Sequence, residues 1–174
     1  MPLSMYEVSV PLFTQTLKGL DGVLDKAAAH FSANGVNFSD LVFSRFAPDM
    51  FTFAEQIQRV CHHSTLAVSC FVQVDQPNVG KAQESLDGLK VQIATAVSFL
   101  EGISTDRFDG SEDREAKFQV RIGEISFSGR EMLIHFSIPQ VMFHATTAYD
   151  LIRHAGVEIG KQDFLHDAFS RRMS

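Results

Sequence analysis

The sequence predicts a mainly α-helical fold, an antiparallel four-helix bundle with one short β-hairpin inserted before the last long helix. Three observations predict it. Apolar residues recur at three- and four-residue steps along four long stretches, the spacing that gathers side chains on one face of a helix. Capping residues stand where these stretches begin, and glycine or asparagine where several of them end. Between the third and fourth stretch, apolar and polar residues alternate, as in a half-buried strand. A helix content of about 60% or more and a strand content under about 12% follow, against base rates near one third and one quarter.

The first helix opens on a capping box, Ser4 with Glu7, in which each side chain satisfies the other's backbone amide. Phe13, Leu17, Leu20, Leu24, Ala27 and Phe31 form its apolar face, and Asn34-Gly35 stops it. Pro11 lies inside this stretch and is expected to bend the helix or fray its first turns. A short helix from about 38 to 46 follows an Asn37 cap and ends before Pro48. Thr52 and Glu55 make a second capping box. Phe53, Ile57, Val60, Ser64, Ala67 and Phe71 carry the next helix to about residue 72. Residues 75–80 read as loop. Leu86, Leu89, Ile93, Ala96 and Leu100 then give the most regular face in the chain, ending near Gly102.

Residues 103–116 are polar and acidic, without a period. Phe118, Val120 and Ile122, then Ile125 and Phe127, alternate with polar neighbours, and Gly123-Glu124 is expected as the hairpin turn. The last long helix runs from about Arg130 to Ala155, with Pro139 either kinking it or starting a second helix, and Gly156 ending it. A short helical turn is expected at Gln162–Phe169. No internal repeat or low-complexity linker interrupts the pattern, so residues 1–174 are expected to form one domain.

Composition narrows the partners. The chain is 45% hydrophobic and 21% charged, with a formal net charge of −6, and its Lys and Arg are scattered among acids apart from Arg171–Arg172. Nucleic acid attracts basic patches through counterion release, so a nucleic-acid partner is not expected. Sixteen Phe against two Tyr and no Trp favour core packing over aromatic recognition surfaces. Cys61 and Cys70, placed on one helix, stand about 13.5 Å apart along its axis, beyond the about 7 Å a disulfide spans. Unpaired thiols, no apolar N-terminal leader and no run of about 18 apolar residues predict a cytoplasmic protein that does not enter a membrane.

Seven histidines invite a metal reading, yet none pairs with another at the i, i+3 or i, i+4 spacing that half-builds a metal site on a helix. His62 and His63 are adjacent, so they point about 100° apart. His62 falls opposite the core face and His63 on its flank, where it can turn into a groove. His144 flanks the core stripe of the last helix, with Gln140 one turn before it on the same side. His63, Gln140 and His144 are therefore the candidate ligand-pocket residues. His154 falls on the solvent side and His166 in the tail. Cys61 next to two imidazoles suggests an activated thiolate, but sequence neighbours on a helix do not face one another, and a small core-flanking Cys is the better reading. Gly156-Val-Glu-Ile-Gly160-Lys161 has three residues between its glycines where a phosphate loop has four, and Gln162 follows where Ser or Thr is needed. In the acidic run from Asp106 to Glu115, taking Gly110 as the glycine of a calcium loop puts Thr105 and Arg107 where acids are required. No catalytic motif survives.

One resemblance is stronger than any of these motifs. Ala47-Pro-Asp-Met50 before the second long helix, Phe143-His-Ala-Thr-Thr-Ala-Tyr149, Leu151-Ile-Arg-His154, Gly156-Val157 and Gly160-Lys-Gln-Asp-Phe-Leu165 resemble an uncharacterised bacterial family grouped with the DinB/YfiT-like proteins. The resemblance covers nearly the whole chain. It implies a DinB-like four-helix bundle with long connections, a homodimer, and a bacterial source. Members of that wider group often carry three metal-ligating histidines at one end of the bundle, two from a His-x-x-x-His on the last helix and one from the second long helix. Some are thiol-dependent transferases. His144, twelve residues before Gly156, suits the second His of the last-helix pair, and Gln140 stands where the first would be. Gln58, His62 or His63 occupies the position on the second long helix. At most two of three ligands remain, so the metal candidates are His63 and His144. The residues demand no cofactor; the one the resemblance admits is a divalent metal, zinc or nickel.

Three functional readings follow. The first is a bundle with a polar small-molecule pocket around His63, Gln140 and His144. The second is a metal-dependent transferase or hydrolase using the same residues. The third is a dimeric structural or interaction module, motivated by apolar residues off the main stripe of the first helix (Val8, Leu12, Val23, Ala28) and by Leu41, Val42, Phe43 and Phe46. Catalytic residues are not assigned.

Overall fold

The computed structural model describes residues 3–120 and 123–168. About 62% of them are helical. Four long helices carry the architecture: α1 (Val10–Ala33), α3 (Phe53–Val72), α4 (Leu86–Glu101) and α6 (Ile138–His154), with α2 (Phe38–Val42) in the first connection. Helix α1 packs on α4 and α6, and α3 packs on α4 and α6, which closes a four-helix bundle. The sequence-consecutive long helices α1 and α3 touch only slightly and lie across a diagonal, so the 34–52 connection crosses one end of the bundle.

The core is the set of stripes read from the sequence. Phe13, Leu17, Leu20, Leu24 and Ala27 of α1 are fully buried, as are Phe53, Ile57, Val60 and Ala67 of α3 and Leu89, Ala96 and Leu100 of α4. Each fully buried aliphatic or aromatic side chain contributes roughly 1.5–3 kcal/mol relative to exposure. The caps form as their residues require. Asn37 accepts from Ser39 N at 3.0 Å. Thr52 Oγ1 accepts from Glu55 N at 3.3 Å while Glu55 Oε2 accepts from Thr52 N at 2.7 Å. Gly35 (φ +65°) and Gly156 (φ +87°) take the left-handed conformation that turns the chain out of α1 and α6.

Several expectations are corrected. The Ser4–Glu7 box is made, but residues 5–9 are turns and α1 begins at Val10. Pro11 therefore sits in the first turn, where its missing N–H costs no intrahelical bond, and it opens the helix instead of bending it. The short helix stops at Val42, not 46, with Phe43 as its C-cap. Within the polar stretch 103–116, a 3-10 turn at Thr105–Phe108 buries Phe108. The off-stripe residues of α1 are mostly covered: Val23 is fully buried, and Val8 and Leu12 pack against the core.

The hairpin pairs β1 (Glu115–Val120) with β2 (Gly123–Ser128), in the register Phe118 to Ile125 and Ala116 to Phe127. Gly123 and Glu124 are strand residues opposite Val120 and Gln119, so they are not the turn. Arg121 and Ile122 lie outside the described residues. In the last long helix the second alternative for Pro139 holds: it stands in the first turn of α6, although no break separates α6 from the helical turns before it. A short α5 (Gly129–Glu131) runs into a π-helical turn (Met132–Ser137) and on into α6, with Ile138 N donating to Leu133 O across five residues. A π turn widens the helix just where the Pro139 ring would otherwise crowd the preceding turn. The tail forms α7 (Lys161–Phe164) and a 3-10 turn at His166–Ala168, and α7 packs on α1, tied by Lys26 Nζ to Asp163 Oδ1 at 2.6 Å. Phe169 lies outside the described residues.

Candidate functional site

The capping box that starts α3 fixes the phase of that helix, and with it the face that meets α6. Gln56, Arg59 and His63 follow one another at steps of three and four, so they share that face. Opposite them, α6 presents His144. The ring planes of His63 and His144 are parallel within 3°, their centroids 5.6 Å apart. His144 is only 5% exposed. Aromatic rings enclose the pair. Phe136, from the π turn, meets His63 edge-on at 5.6 Å, and Phe143 meets His144 edge-on at 5.3 Å. Phe51 lies 6.0 Å from the His144 ring and carries the Arg59 guanidinium over its face at 4.8 Å. Phe136 is in turn held by the hairpin through Phe118 and Phe127.

The hydrogen bonds fix the protons. Gln56 Nε2 donates to Phe51 O at 3.2 Å, and a carbonyl oxygen only accepts, so the amide nitrogen of Gln56 must face it. Gln56 Oε1 then faces His144 Nδ1 at 2.6 Å, and that nitrogen carries the proton. His144 is the Nδ1–H tautomer, and its Nε2 keeps a lone pair. His63 Nδ1 and Arg59 Nε are buried with no hydrogen-bond partner. Burial pushes the His63 imidazole down to about 3, helped by the neighbouring His62, His144 and Arg59. Burial, then the Arg59 charge, pushes His144 down to about 4. Both rings are neutral at pH 7, beside one permanent cation.

The three sequence candidates are not placed alike. His63 and His144 meet. Gln140 does not join them by a hydrogen bond among the described residues; half-buried, it lines a shallow depression of about 290 Å³ with His135, Phe136, Pro139 and Phe143. That depression borders the pair through Phe136 and Phe143. Of the alternatives on the second long helix, Gln58 turns to Gly80 O at 3.4 Å. His62 does not face solvent as expected: it is half-buried beneath the following loop, where Gln76 Nε2 lies 3.2 Å from its Nδ1 and donates to its carbonyl at 2.9 Å. His154 is exposed, as expected for the solvent side. Cys61 is fully buried, and burial pushes its thiol up to about 12, so it supplies no thiolate. Ser64 and Thr65 both donate to Cys61 O, at 3.1 and 2.8 Å.

Gln56, Arg59, Phe51 and Phe136 were not singled out from the sequence. The signal for Gln56 and Arg59 is their seven- and four-residue spacing to His63. Phe51 and Phe136 carry no such signal, because one precedes a helix cap and the other sits in a π turn.

A bound divalent metal of this fold needs three protein donors or more. Among the described residues no group of three or more His, Cys, Asp or Glu is placed to hold one. His144 Nε2 and His63 Nδ1 are two nitrogens, Gln140 offers an amide, a poor ligand for zinc or nickel, and Arg59 sets a positive charge beside them. The donor set does not fit the metal.

A family model described as a domain of unknown function (DUF1993) matches residues 5–165. Among solved structures, a DinB family member protein from Shewanella denitrificans superposes with a TM-score of 0.86 at 31% sequence identity, covering 93% of this chain and 92% of that one. No curated protein matches.

Proposed function

The chain belongs to the DUF1993 family, a DinB-like helical bundle of unknown function, and from that premise we propose that it binds a small polar molecule at His63 and His144 without a metal. One observation carries this reading. His63 Nδ1 and Arg59 Nε are buried and unpartnered beside a histidine whose tautomer Gln56 has fixed. Leaving buried polar atoms without partners costs about 1–3 kcal/mol each, a cost that a ligand supplying the missing bonds removes. A screen of polar fragments by imidazole-detected NMR tests it. Binders are expected to shift the His63 and His144 ring nitrogens and to be lost in a His63→Gln, His144→Gln double variant that keeps its helical CD spectrum. Binders that survive in that variant, or a screen without any, would sink the proposal.

A second reading concerns assembly. Phe46 and Val36, 48% and 46% exposed, border with Leu41 and Leu151 a depression of about 340 Å³ near the C-terminal end of α6, and Phe43, the C-cap of α2, is 55% exposed. Apolar surface of this kind supports a homodimer, and a two-fold pair is the commonest closed solution. The same reading takes residues 1–174 as one domain, supported by the continuous core. It takes the protein as cytoplasmic, supported by two free cysteines, and as bacterial, supported by the similarity to the Shewanella denitrificans protein. No helix among the described residues is long and apolar enough to cross a membrane.

A further inference from the structure

We infer that this site takes a small hydroxycarboxylate: the carboxylate on Arg59, the hydroxyl on His144 Nε2, and the apolar body against Phe51 and Phe143. The inference rests on the small-molecule reading of the same site and adds the ligand's chemistry.

Arg59 is the anchor. Its guanidinium carbon lies over the Phe51 ring, 4.8 Å from the centroid, a cation–π contact that uses no N–H donor. A guanidinium grips a carboxylate by two parallel bonds. No ion pair claims Arg59 among the described residues. The acid one turn before it, Glu55, is engaged elsewhere: its Oε2 accepts from Thr52 N at 2.7 Å and from Thr52 Oγ1 at 2.9 Å. Arg59 thus holds a positive charge with a buried, unpartnered Nε and no direct ion pair among the described residues, with the Glu55 carboxylate near enough to feel that charge.

The charge count selects the kind of anion. Both imidazoles are neutral at pH 7, for the reasons of burial given above, so Arg59 is the cation of the site, with the Glu55 carboxylate one turn away. With that carboxylate already near, a monoanion is repelled less than a phosphate dianion. The histidine tautomer selects the second group. With its proton on Nδ1, His144 presents a lone pair at Nε2, which repels a carboxylate oxygen and accepts from a hydroxyl. Phe51 and Phe143, 40% and 58% exposed and both beside the His144 ring, offer apolar contact to the remainder of the molecule.

The test uses the full chain and three acids of increasing size, lactate, 2-hydroxyisocaproate and 3-phenyllactate, each beside its primary amide, with phenyl phosphate and zinc alone as controls. Binding is read from the ring-nitrogen resonances of His63 and His144. At least one acid is expected to bind ten- to hundredfold more tightly than its amide, the range of one charge-assisted pair. Arg59→Gln is expected to abolish that preference and Arg59→Lys to reduce it, both with unchanged helical CD. Removing the hydroxyl, as in 3-phenylpropionate against 3-phenyllactate, is expected to weaken binding about tenfold. Amides that bind as well as acids, an acid preference that survives Arg59→Gln, or phenyl phosphate or zinc bound in preference to every acid would each overturn the inference. If polar fragments still shift the two histidines when no acid beats its amide, the ligand class falls and the pocket stands. If no fragment shifts them, the pocket reading falls as well.

Discussion

Mild acid should destabilise this protein, through two histidines. His63 and His144 titrate near 3 and 4 when folded, against about 6.5 in an unfolded chain. Between those values the unfolded chain binds protons that the native state refuses, so stability falls as pH falls through the interval and is fully present only above about pH 7. Each pH unit over which one state holds a proton the other lacks is worth about 1.4 kcal/mol. From pH 6.5 to pH 5 the two rings together give an upper bound on the order of 3 kcal/mol, trimmed to about 2 kcal/mol by solvent reaching the edge of the pair. The carboxylates with lowered values, Glu7, Glu55, Glu115, Glu131 and Asp163, act in a lower window, because their unfolded counterparts are already ionised at pH 5. His62, also pushed down by burial, adds a smaller contribution of the same sign. Urea unfolding at pH 7.5, 6.5, 5.5 and 5.0 measures the slope. The His63→Gln, His144→Gln double variant is expected to be less stable than the parent at pH 7.5 and much flatter across this range. A parent as stable at pH 5 as at pH 6.5, or a double variant that keeps the full slope, would refute the neutral-pair description of the site.

Other outcomes follow from the same structure. Cys61 should resist thiol reagents in the native protein while half-buried Cys70 reacts slowly, and both should react at once in denaturant; fast labelling of two thiols per native chain would contradict the buried thiol. Gln140→His should raise zinc or nickel affinity at least tenfold by completing an i, i+4 histidine pair with His144, read by metal titration against the parent, which should hold well under one ion per chain after purification without a tag. Phe43→Glu should convert a dimer to monomer in light scattering with the CD spectrum unchanged; a parent that is already monomeric at tens of micromolar removes the assembly reading. Phe53→Ala should cost about 3–5 kcal/mol in urea unfolding, because the ring is fully buried where α3 begins.

Local rules of helix chemistry made most of the fold legible. The stripes of α1, α3 and α4, the Thr52–Glu55 box and the stops at Gly35 and Gly156 each follow from a spacing or a cap, and each stands in the structure where the sequence places it. Where a rule had two solutions, the sequence did not choose. Pro11 reads equally as an interruption or as a first-turn proline, and only the turns at 5–9 decide it. Gly123-Glu124 looks like a turn because glycine is frequent there, yet a register two residues earlier pairs Phe118 with Ile125 and keeps Ala116 and Phe127 on the same face. At the site, His63 and His144 were visible as flank positions on two helices. Their meeting is a tertiary fact, and so is the role of Gln56, whose amide acts only through Phe51 O on one side and His144 on the other. His62 departs from its expected exposure because a helical wheel shows where a side chain points, and not which loop returns to cover it.

The π turn at Met132–Ser137 acts as a phase shifter. A helix that holds one extra residue in a turn no longer keeps a single wheel along its length: side chains before and after it are offset by about 100°. The hairpin end and the bundle end of the last helix are therefore aimed separately, and Phe136 is the side chain at the joint, with Phe118 and Phe127 on one side and His63 on the other. Removing a single residue between 132 and 137 would leave the stripes of α1, α3 and α4 in place, turn buried Met132 and Leu133 relative to α6, and swing the hairpin off the histidine pair. A length change of one residue here re-aims the site as a point substitution cannot, and a relative lacking that residue must close over its two helices with a different side chain.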